Sequence, residues 1–340
     1  MTHLERLQKE GIRRRGAPQR GFRYACPDGR KLRPAELARI EALKLPPAWK
    51  DVAISPNPRA HLQAVGKDGA GRWQYRYHER QVQKREEEKY QRLLEFARAL
   101  PRLRRRVAAD LRRQGLGREK VLACVLRILG TCYIRPGSEV YAEENGSYGV
   151  ATLRPRHVKV KGDTVTFDFP GKSGQRQYRE LRDRQVARIV RELLKLPGRD
   201  VFKFVVDDGA VVDVRRRHIN DYIQEIMGTD HTAKDFRTWA GTLICACALA
   251  RARERVARPD EKVLKKTLVA AVKETSEHLG NTPAVARASY ISPPVLTHFE
   301  RGRVVDRYFE KVEELHEIRS GLHCSEKALL QLLHDAAGSR

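Results

Sequence analysis

No apolar run in this 340-residue chain is long enough to cross a bilayer. The longest, Thr242 to Ala250 with its flanks, falls well short of the roughly 18 residues that a span requires. The opening residues, Met1-Thr-His-Leu-Glu-Arg, do not read as a signal peptide. A membrane is therefore not the expected partner, and a cytoplasmic protein, nucleoid-associated if the host is bacterial, is. Paired cysteines are also missing. The six present, Cys26, Cys124, Cys132, Cys245, Cys247 and Cys324, are scattered, mostly in apolar helical patterns, and read as buried free thiols in a reducing compartment. Cys245-Ala-Cys247 lacks the two-residue gap of a zinc half-site and His323-Cys324 has no partner pair, so no metal is expected. There is no repeat of solenoid period, and low complexity is confined to Arg13–Arg15, Arg104–Arg106 and Arg215–Arg217. Gly171-Lys172-Ser173 resembles the end of a Walker motif, but Thr166 stands where glycine is required and a strand follows, which excludes nucleotide binding.

What the chain has in excess is positive charge. It carries 68 Lys and Arg against 43 Asp and Glu, a net +25. A polyanion is the expected partner; DNA, RNA and anionic membrane all qualify, and a merely soluble basic protein is the plain alternative. With 41% hydrophobic residues the chain can bury real cores, and its length suggests two domains. We place them at 1–88 and 89–340.

The first stretch reads as short strands and turns, with Asp28-Gly29 as a hairpin signal and a small helix over Pro34–Leu43. Leu45-Pro46-Pro47-Ala48-Trp49-Lys50-Asp51-Val52 is a rigid connector. A Gly-rich loop, 66–71, leads into Arg72-Trp73-Gln74-Tyr75-Arg76-Tyr77-His78, which alternates aromatic and basic groups at strand spacing. That pattern fits a half-buried strand as well as one that presents rings to a nucleic acid. Arg80–Arg106 is a charged helix leaving this region. Three apolar stripes then mark core helices: Val121, Val125, Leu129 and Tyr133; Val186, Ile189, Val190, Leu193 and Leu194; Ile219, Tyr222, Ile223 and Ile226, the last stopped by Gly228. Between the first two lie strands over His157–Lys161, Thr164–Phe169 and Arg176–Leu181. A helix over Phe299–Leu315 and a last one capped by Ser325 complete the chain.

The stretch Lys273–Pro293 carries the sharpest signal. A helix stops at Gly280, Asn281 turns the corner, and Thr282 with Pro283 opens a second helix that holds Tyr290 two turns in and ends at Pro293. Leu279-Gly280-Asn281-Thr282-Pro283 followed by Tyr290 resembles the C-terminal signature of type IB DNA topoisomerases and tyrosine recombinases, where a Leu-Gly-His-Thr-like corner precedes the nucleophilic tyrosine. The usual His is Asn281 here. Pro46-Pro47-Ala48-Trp49 and Gly71-Arg72-Trp73-Gln74-Tyr75-Arg76-Tyr77 resemble the N-terminal DNA-clamping domain of the poxvirus-like and bacterial type IB enzymes, which makes Gln74, Tyr75 and Tyr77 DNA contacts by resemblance.

The resemblance spans Gly21 to Pro293. It implies an α+β fold, a small β-rich N-terminal domain with a larger mainly α catalytic domain that bears a β-hairpin, together forming a clamp around double-stranded DNA. It implies a monomer that relaxes supercoils through a 3′-phosphotyrosyl intermediate, swivelling and religation, with no cofactor, no ATP and no metal. Tyr290 is then the nucleophile. Arg135, in Ile134-Arg135-Pro136-Gly137, and Arg237, in the first turn of the helix burying Leu243 and Ile244, match the family's two catalytic arginines, whose guanidiniums stabilise a phosphorane-like transition state. A helix N-terminus would add to phosphate binding at Arg237. Lys172, on the turn Phe169–Gly174, matches the hairpin lysine that protonates the leaving 5′-oxygen. Asn281 supplies a neutral donor, and Lys234 serves proton transfer or phosphate contact. Two alternatives stand beside this reading. A tyrosine recombinase usually carries His-x-x-Arg where this chain has Lys234-Asp235-Phe236-Arg237 and lacks the Pro-Pro-Ala-Trp domain; an architectural DNA-binding protein would have no need of intact Arg, Lys, Arg and Tyr. The charge predicts that DNA affinity falls with salt at a log-log slope of roughly −0.9 per phosphate contacted. Filter binding at graded ionic strength measures it, and a flat response would remove the electrostatic contribution.

Overall fold

The computed structural model describes residues 2–228, 231–255, 260–316 and 320–338. The chain divides into two units, 1–89 and 90–340. The first is built on a five-stranded antiparallel sheet of order β2-β1-β3-β4-β5. Its elements are α1 (His3–Glu10), β1 (Ile12–Ala17), β2 (Gly21–Ala25), α2 (Pro34–Ala42), β3 (Lys50–Ile54), β4 (Leu62–Lys67) and β5 (Trp73–Tyr77). Because side chains alternate across a strand, Val52 and Ile54 pack with Ile40 of α2 while Ala53 and Val65 pack with Leu7 of α1, so each face of the sheet has its own helix. A capping box between Thr2 and Glu5 starts α1, and Pro34 at the first position starts α2.

One expectation fails here. Asp28-Gly29 forms only a turn, Gly29 N–H to Cys26 O at 3.1 Å, on the way to α2. The hairpin lies earlier, at Pro18–Arg20, where Gly16 and Gly21 provide the positive φ that the β1–β2 connection needs. The arginine cluster Arg13–Arg15 is strand β1 itself. Arg14 lies over the Phe22 ring and donates to the carbonyls of Pro46 and Trp49, at 3.1 and 2.6 Å, which holds the Pro-Pro-Ala-Trp connector against the sheet.

The division between the units falls within α3 (Glu79–Asp110), and the second unit continues with α4 (Arg118–Cys132) and α5 (Glu139–Asn145). A three-stranded antiparallel sheet follows, β6 (Val158–Lys161), β7 (Thr164–Pro170) and β8 (Arg176–Arg182), with α6 (Arg184–Lys195) packed on it. Then come a short hairpin, β9 (Lys203–Val205) and β10 (Val211–Asp213), and helices α7 (Arg216–Met227), α8 (Ala233–Glu254), α9 (Glu261–Leu279), α10 (Pro283–Ser289), α11 (Pro293–Glu300) and α12 (Cys324–Gly338). The β9–β10 pair escaped the sequence reading because three residues per strand are too few to display alternation.

Helix α8 is the axis of this unit. Every residue from Phe236 to Ala250 is buried, and α4, α7, α9, α11 and α12 all pack against it. Ala240, Gly241, Ala246 and Ala248 keep its surface low, so neighbours approach closely. The longest apolar run is thus core, and no described helix is long and apolar enough to cross a membrane.

The C-terminal region departs from the sequence expectation in four places. Pro293 does not end a helix but opens α11, with Ser292 as its N-cap. Phe299–Leu315 is not continuous helix: α11 stops at Glu300, and only Val312–His316 winds again, as a 3-10 turn, since the Gly302 and Val304–Phe309 segment has no helical period. Ser325 lies inside α12; the ring of His323 accepts from the Ser325 N–H at 3.2 Å and does the capping. Cys324, at that exposed end, is open to solvent, whereas the other five thiols are free and buried.

Glu326 fastens α12 to the axis. Only 2% exposed, its carboxylate accepts two bonds from Arg104 of α3, both at 2.8 Å, one from the Trp239 indole at 3.0 Å and one from the His323 amide at 2.8 Å. Burial alone would raise its pKa; Arg104, the His323 amide and the Trp239 indole outweigh burial and hold it below the usual carboxylate value. A depressed carboxylate stabilises above its unfolded pKa and loses that contribution as pH falls through the folded value. Glu326→Gln should therefore cost about 1–3 kcal/mol in urea denaturation at pH 7. The difference from wild type should shrink as the buffer is acidified below the ordinary carboxylate range. A pH-independent difference would mean that the charge is not what fastens the helix.

Candidate active site

Four of the five core residues named from the sequence meet at one place, and the backbone explains why. Helix α4 ends at Cys132, and Tyr133 turns left-handed at φ 54°, sending Ile134-Arg135-Pro136-Gly137 away from the helix axis. Val150 N–H donates to Arg135 O and Ala151 N–H to Pro136 O, each at 2.9 Å. Gly149 passes so close that a Cβ there would strike the Arg135 carbonyl. The Arg135 main chain is thereby fixed on both sides.

Helix α9 ends at Gly280, with φ 59° and Asn281 N–H closing back onto Ser276 O at 2.9 Å. Besides needing positive φ, this position has no room for a side chain, because a Cβ would collide with Gln177 of β8. Asn281 follows, and its Oδ1 accepts a hydrogen bond from Arg135. Thr282 caps α10 by accepting from Val285 N–H at 3.3 Å. Tyr290 is the C-cap of α10, just past its last turn, with its N–H on Ala286 O at 3.0 Å. It stands at the junction before α11.

Arg237 is where the sequence reading is corrected. It lies in the second turn of α8, 2% exposed, and not at the helix N-terminus, so the end of the helix is not what it lends to an anion. Its guanidinium instead donates to two carbonyls at helix ends, Tyr133 O and Leu279 O, the latter at 2.8 Å. Its face lies 4.9 Å from the centroid of the Tyr290 ring. Burial and the neighbouring Arg135 charge push its pKa down to about 10, which leaves it a cation at neutral pH. Arg237 Nε and Asn281 Nδ2 are buried donors without a partner among the described residues.

A second, half-buried arginine was missed. Arg179 of β8 donates to Cys132 O at 3.2 Å and to His278 O at 3.1 Å, the residues just before the two carbonyls that Arg237 holds. The inward period of β8, Gln177, Arg179 and Leu181, was the available signal. Lys172 behaves differently from the four. It stands exposed at the tip of the β7–β8 hairpin and makes no hydrogen bond or ion pair with them among the described residues. Lys234, in the first turn of α8, is exposed, and its charge bears on Tyr290. In the first unit, the Tyr75 and Tyr77 rings are stacked, 6.2 Å apart and 20° from parallel, with Tyr75 43% exposed on the edge strand β5. Gln74 is partly occupied, donating to Asp68 at 2.8 Å.

A family model for the catalytic core of eukaryotic DNA topoisomerase I matches residues 78–300, and one for the N-terminal domain of bacterial DNA topoisomerase IB matches residues 21–68. The chain belongs to the type IB DNA topoisomerases. DNA topoisomerase 1B of Acanthamoeba polyphaga mimivirus is 34% identical over 295 residues, covering 86% of this chain and 88% of its own. DNA topoisomerase 1B of vaccinia virus, strain Copenhagen, is 22% identical over 269 residues, covering 76% and 80%. DNA topoisomerase I of monkeypox virus is 21% identical over 266 residues, with the same shares covered. The core match stops at residue 300, so the stretch that carries Glu326 lies beyond it.

The cations set the state of the nucleophile candidate in this topoisomerase family member. Burial raises the Tyr290 pKa, but the Arg237 charge, with Arg135 and Lys234, outweighs it and brings the phenol below its ordinary value near 10. A phenolate difference titration, wild type minus Tyr290→Phe, should show an ionisation below the ordinary tyrosine range. Arg237→Ala should move that ionisation upward, because burial would then act with less opposition. An unchanged midpoint in Arg237→Ala would mean that Arg237 does not govern the phenol.

Proposed function

We propose that this protein relaxes supercoiled DNA by nicking one strand through Tyr290, letting the free end swivel, and resealing it. One observation carries the reading: a half-buried phenol lies against a buried guanidinium, and the charge of Arg135, which is hydrogen-bonded to Asn281, bears on it as well. In this mechanism the Tyr290 oxygen, its proton released to solvent, attacks a backbone phosphorus. The P–O5′ bond breaks, and its electron pair leaves on the 5′-oxygen. Arg135, Arg237 and Asn281 hydrogen-bond the non-bridging oxygens as they gain charge, in a site that is already formed. The phosphate ends on Tyr290 as a 3′-phosphotyrosyl ester. One phosphodiester replaces another, so religation by the 5′-hydroxyl needs no ATP, and none of the steps calls on a metal.

The leaving 5′-oxygen needs a proton, and Lys172 is proposed to give it. Its place on an exposed hairpin fits a group that reaches the site when DNA is bound, with Gly171 and Gly174 on either side of it. Lys234 is assigned to phosphate contact beside Tyr290. Tyr75, Tyr77 and Gln74 are proposed to touch the duplex from the first unit, the tyrosines through their exposed ring edges.

Plasmid relaxation in EDTA without ATP tests the whole. Wild type should relax supercoiled DNA there, and denatured reactions should contain protein joined to a 3′ DNA end. Tyr290→Phe keeps the ring and loses the attacking atom, so it should bind DNA and form no adduct; an adduct would move the nucleophile elsewhere. Lys172→Ala should cleave ordinary DNA at least 100-fold more slowly, the scale of general acid catalysis. A substrate with sulfur at the bridging 5′ position, which leaves without a proton, should restore most of that loss. Arg237→Ala should lose a comparable factor that sulfur does not restore. Equal restoration in both variants would take the acid role away from Lys172.

A further inference from the structure

Resting on the assignment of Tyr290 as nucleophile, we infer that Gly241 and Thr242 of α8 are positioning residues that lock the Tyr290 main chain in register with Arg237. All three belong to one rigid helix, at spacings of four and five residues, and each meets the same tyrosine differently. Arg237 faces the ring. Gly241 leaves a gap for the backbone: a Cβ built there would lie 2.8 Å from Tyr290 O and 3.1 Å from Tyr290 Cβ. Thr242, fully buried, places its hydroxyl 3.2 Å from Tyr290 O and accepts the Ser292 N–H at 3.1 Å.

The hydroxyl therefore bridges the carbonyl before Ile291 and the amide after it. That junction needs such a partner. Tyr290 ends α10, and Ser292 begins the cap of α11, so both groups fall where helical hydrogen bonding has run out. The hydroxyl has one proton and two acceptors in reach, Tyr290 O and Thr238 O, the latter at 2.8 Å. Directed at Tyr290 O it closes the lock; directed at Thr238 O it releases that carbonyl while still holding Ser292. The lock acts on the chain at Tyr290, not on the phenol, so it serves cleavage and religation alike. Misplacing a nucleophile by about 1 Å can cost roughly 100-fold in rate even when nothing else changes.

The experiment uses the full-length protein and single-turnover cleavage of a nicked-duplex suicide substrate at saturating DNA, well below the melting temperature. Thr242→Val removes the hydroxyl at constant shape. It should cleave about 10- to 100-fold more slowly and religate more slowly by a similar factor, with DNA Kd unchanged and the cleavage equilibrium within about threefold of wild type. Thr242→Ser, which keeps the hydroxyl and loses a methyl, should recover most of the rate. A role confined to packing would give the reverse, with Val tolerated and Ser impaired. Should Thr242→Val fold poorly, Gly241→Ala reads the same coupling: a methyl group pressed on the Tyr290 carbonyl should slow cleavage and leave DNA affinity intact. Bridging 5′ sulfur should not rescue either variant, since proton delivery is not what they lose. Wild-type cleavage rates in both Thr242→Val and Gly241→Ala would overturn the inference. If Tyr290→Phe is inactive in the same assay, the nucleophile assignment survives that result; if Tyr290→Phe still forms the adduct, the assignment itself fails.

Discussion

A buried cation held by spent helix ends is the constraint on which the catalytic unit depends. The last carbonyls of α4 and α9 have no helical donors, and both helices stop in left-handed turns at adjacent places, Tyr133 and Gly280. Arg237 donates to Tyr133 O and Leu279 O, and Arg179 donates to Cys132 O and His278 O. Two arginines thus join the same two helix ends, one residue apart on each. Helix C-termini are the partially negative ends, so a guanidinium is stabilised there without a carboxylate that would also repel phosphate. The arrangement fixes the directions of Arg135 and Asn281, which leave those same turns, and it spares the remaining face of Arg237 for Tyr290.

Legibility in the sequence follows from how local each cause is. Gly280, Thr282 and Pro283 announce their corner because cap chemistry is written in adjacent residues, and the structure has the same cap and the same turn there. The antiparallel strands around Gly162 were legible for the same reason. The burial of Arg237, the role of Arg179 and the bridge from Thr242 depend on partners 42 to 104 residues away in sequence, and no spacing rule reports such contacts. Pro293 illustrates the opposite error. Proline ends one helix or starts the next, and here Pro293 starts α11 at its first position. Arg13–Arg15 looked like composition because arginines seldom signal a strand, yet the pairing with Arg23–Ala25 and the Phe22 ring gives them one.

Residues beyond 300 share in the same constraint. Trp239 is two positions from Arg237, and its indole is held by Glu326 from α12, with Arg104 of α3 on the other side of the carboxylate. Helix α8 is thereby gripped on the face away from Tyr290 as well as on the face toward it. Since α8 is buried along its whole middle, its close-packed surface leaves little room for small shifts near Trp239 and Arg237.

Asn281 stands where the sequence resemblance leads to a histidine, and that changes what can titrate. An imidazole offers a donor or an acceptor according to its tautomer and protonation, and both change near neutral pH. An amide does not. The hydrogen bond from Arg135 to Oδ1 settles which way this amide faces, leaving Nδ2, a permanent donor, as the group without a partner. Arg237, lowered only to about 10, keeps its charge through the physiological range. The donors of Arg237 and Asn281 are then the same on either side of neutral pH. Tyr290, lowered by the cations around it, is left as the group whose ionisation can change the chemistry at this corner. Its phenolate is favoured by the same guanidinium that would stabilise the transition state. Under the proposed mechanism, attack and charge stabilisation would draw on one interaction, and anything that moved Arg237 relative to Tyr290 would weaken both together.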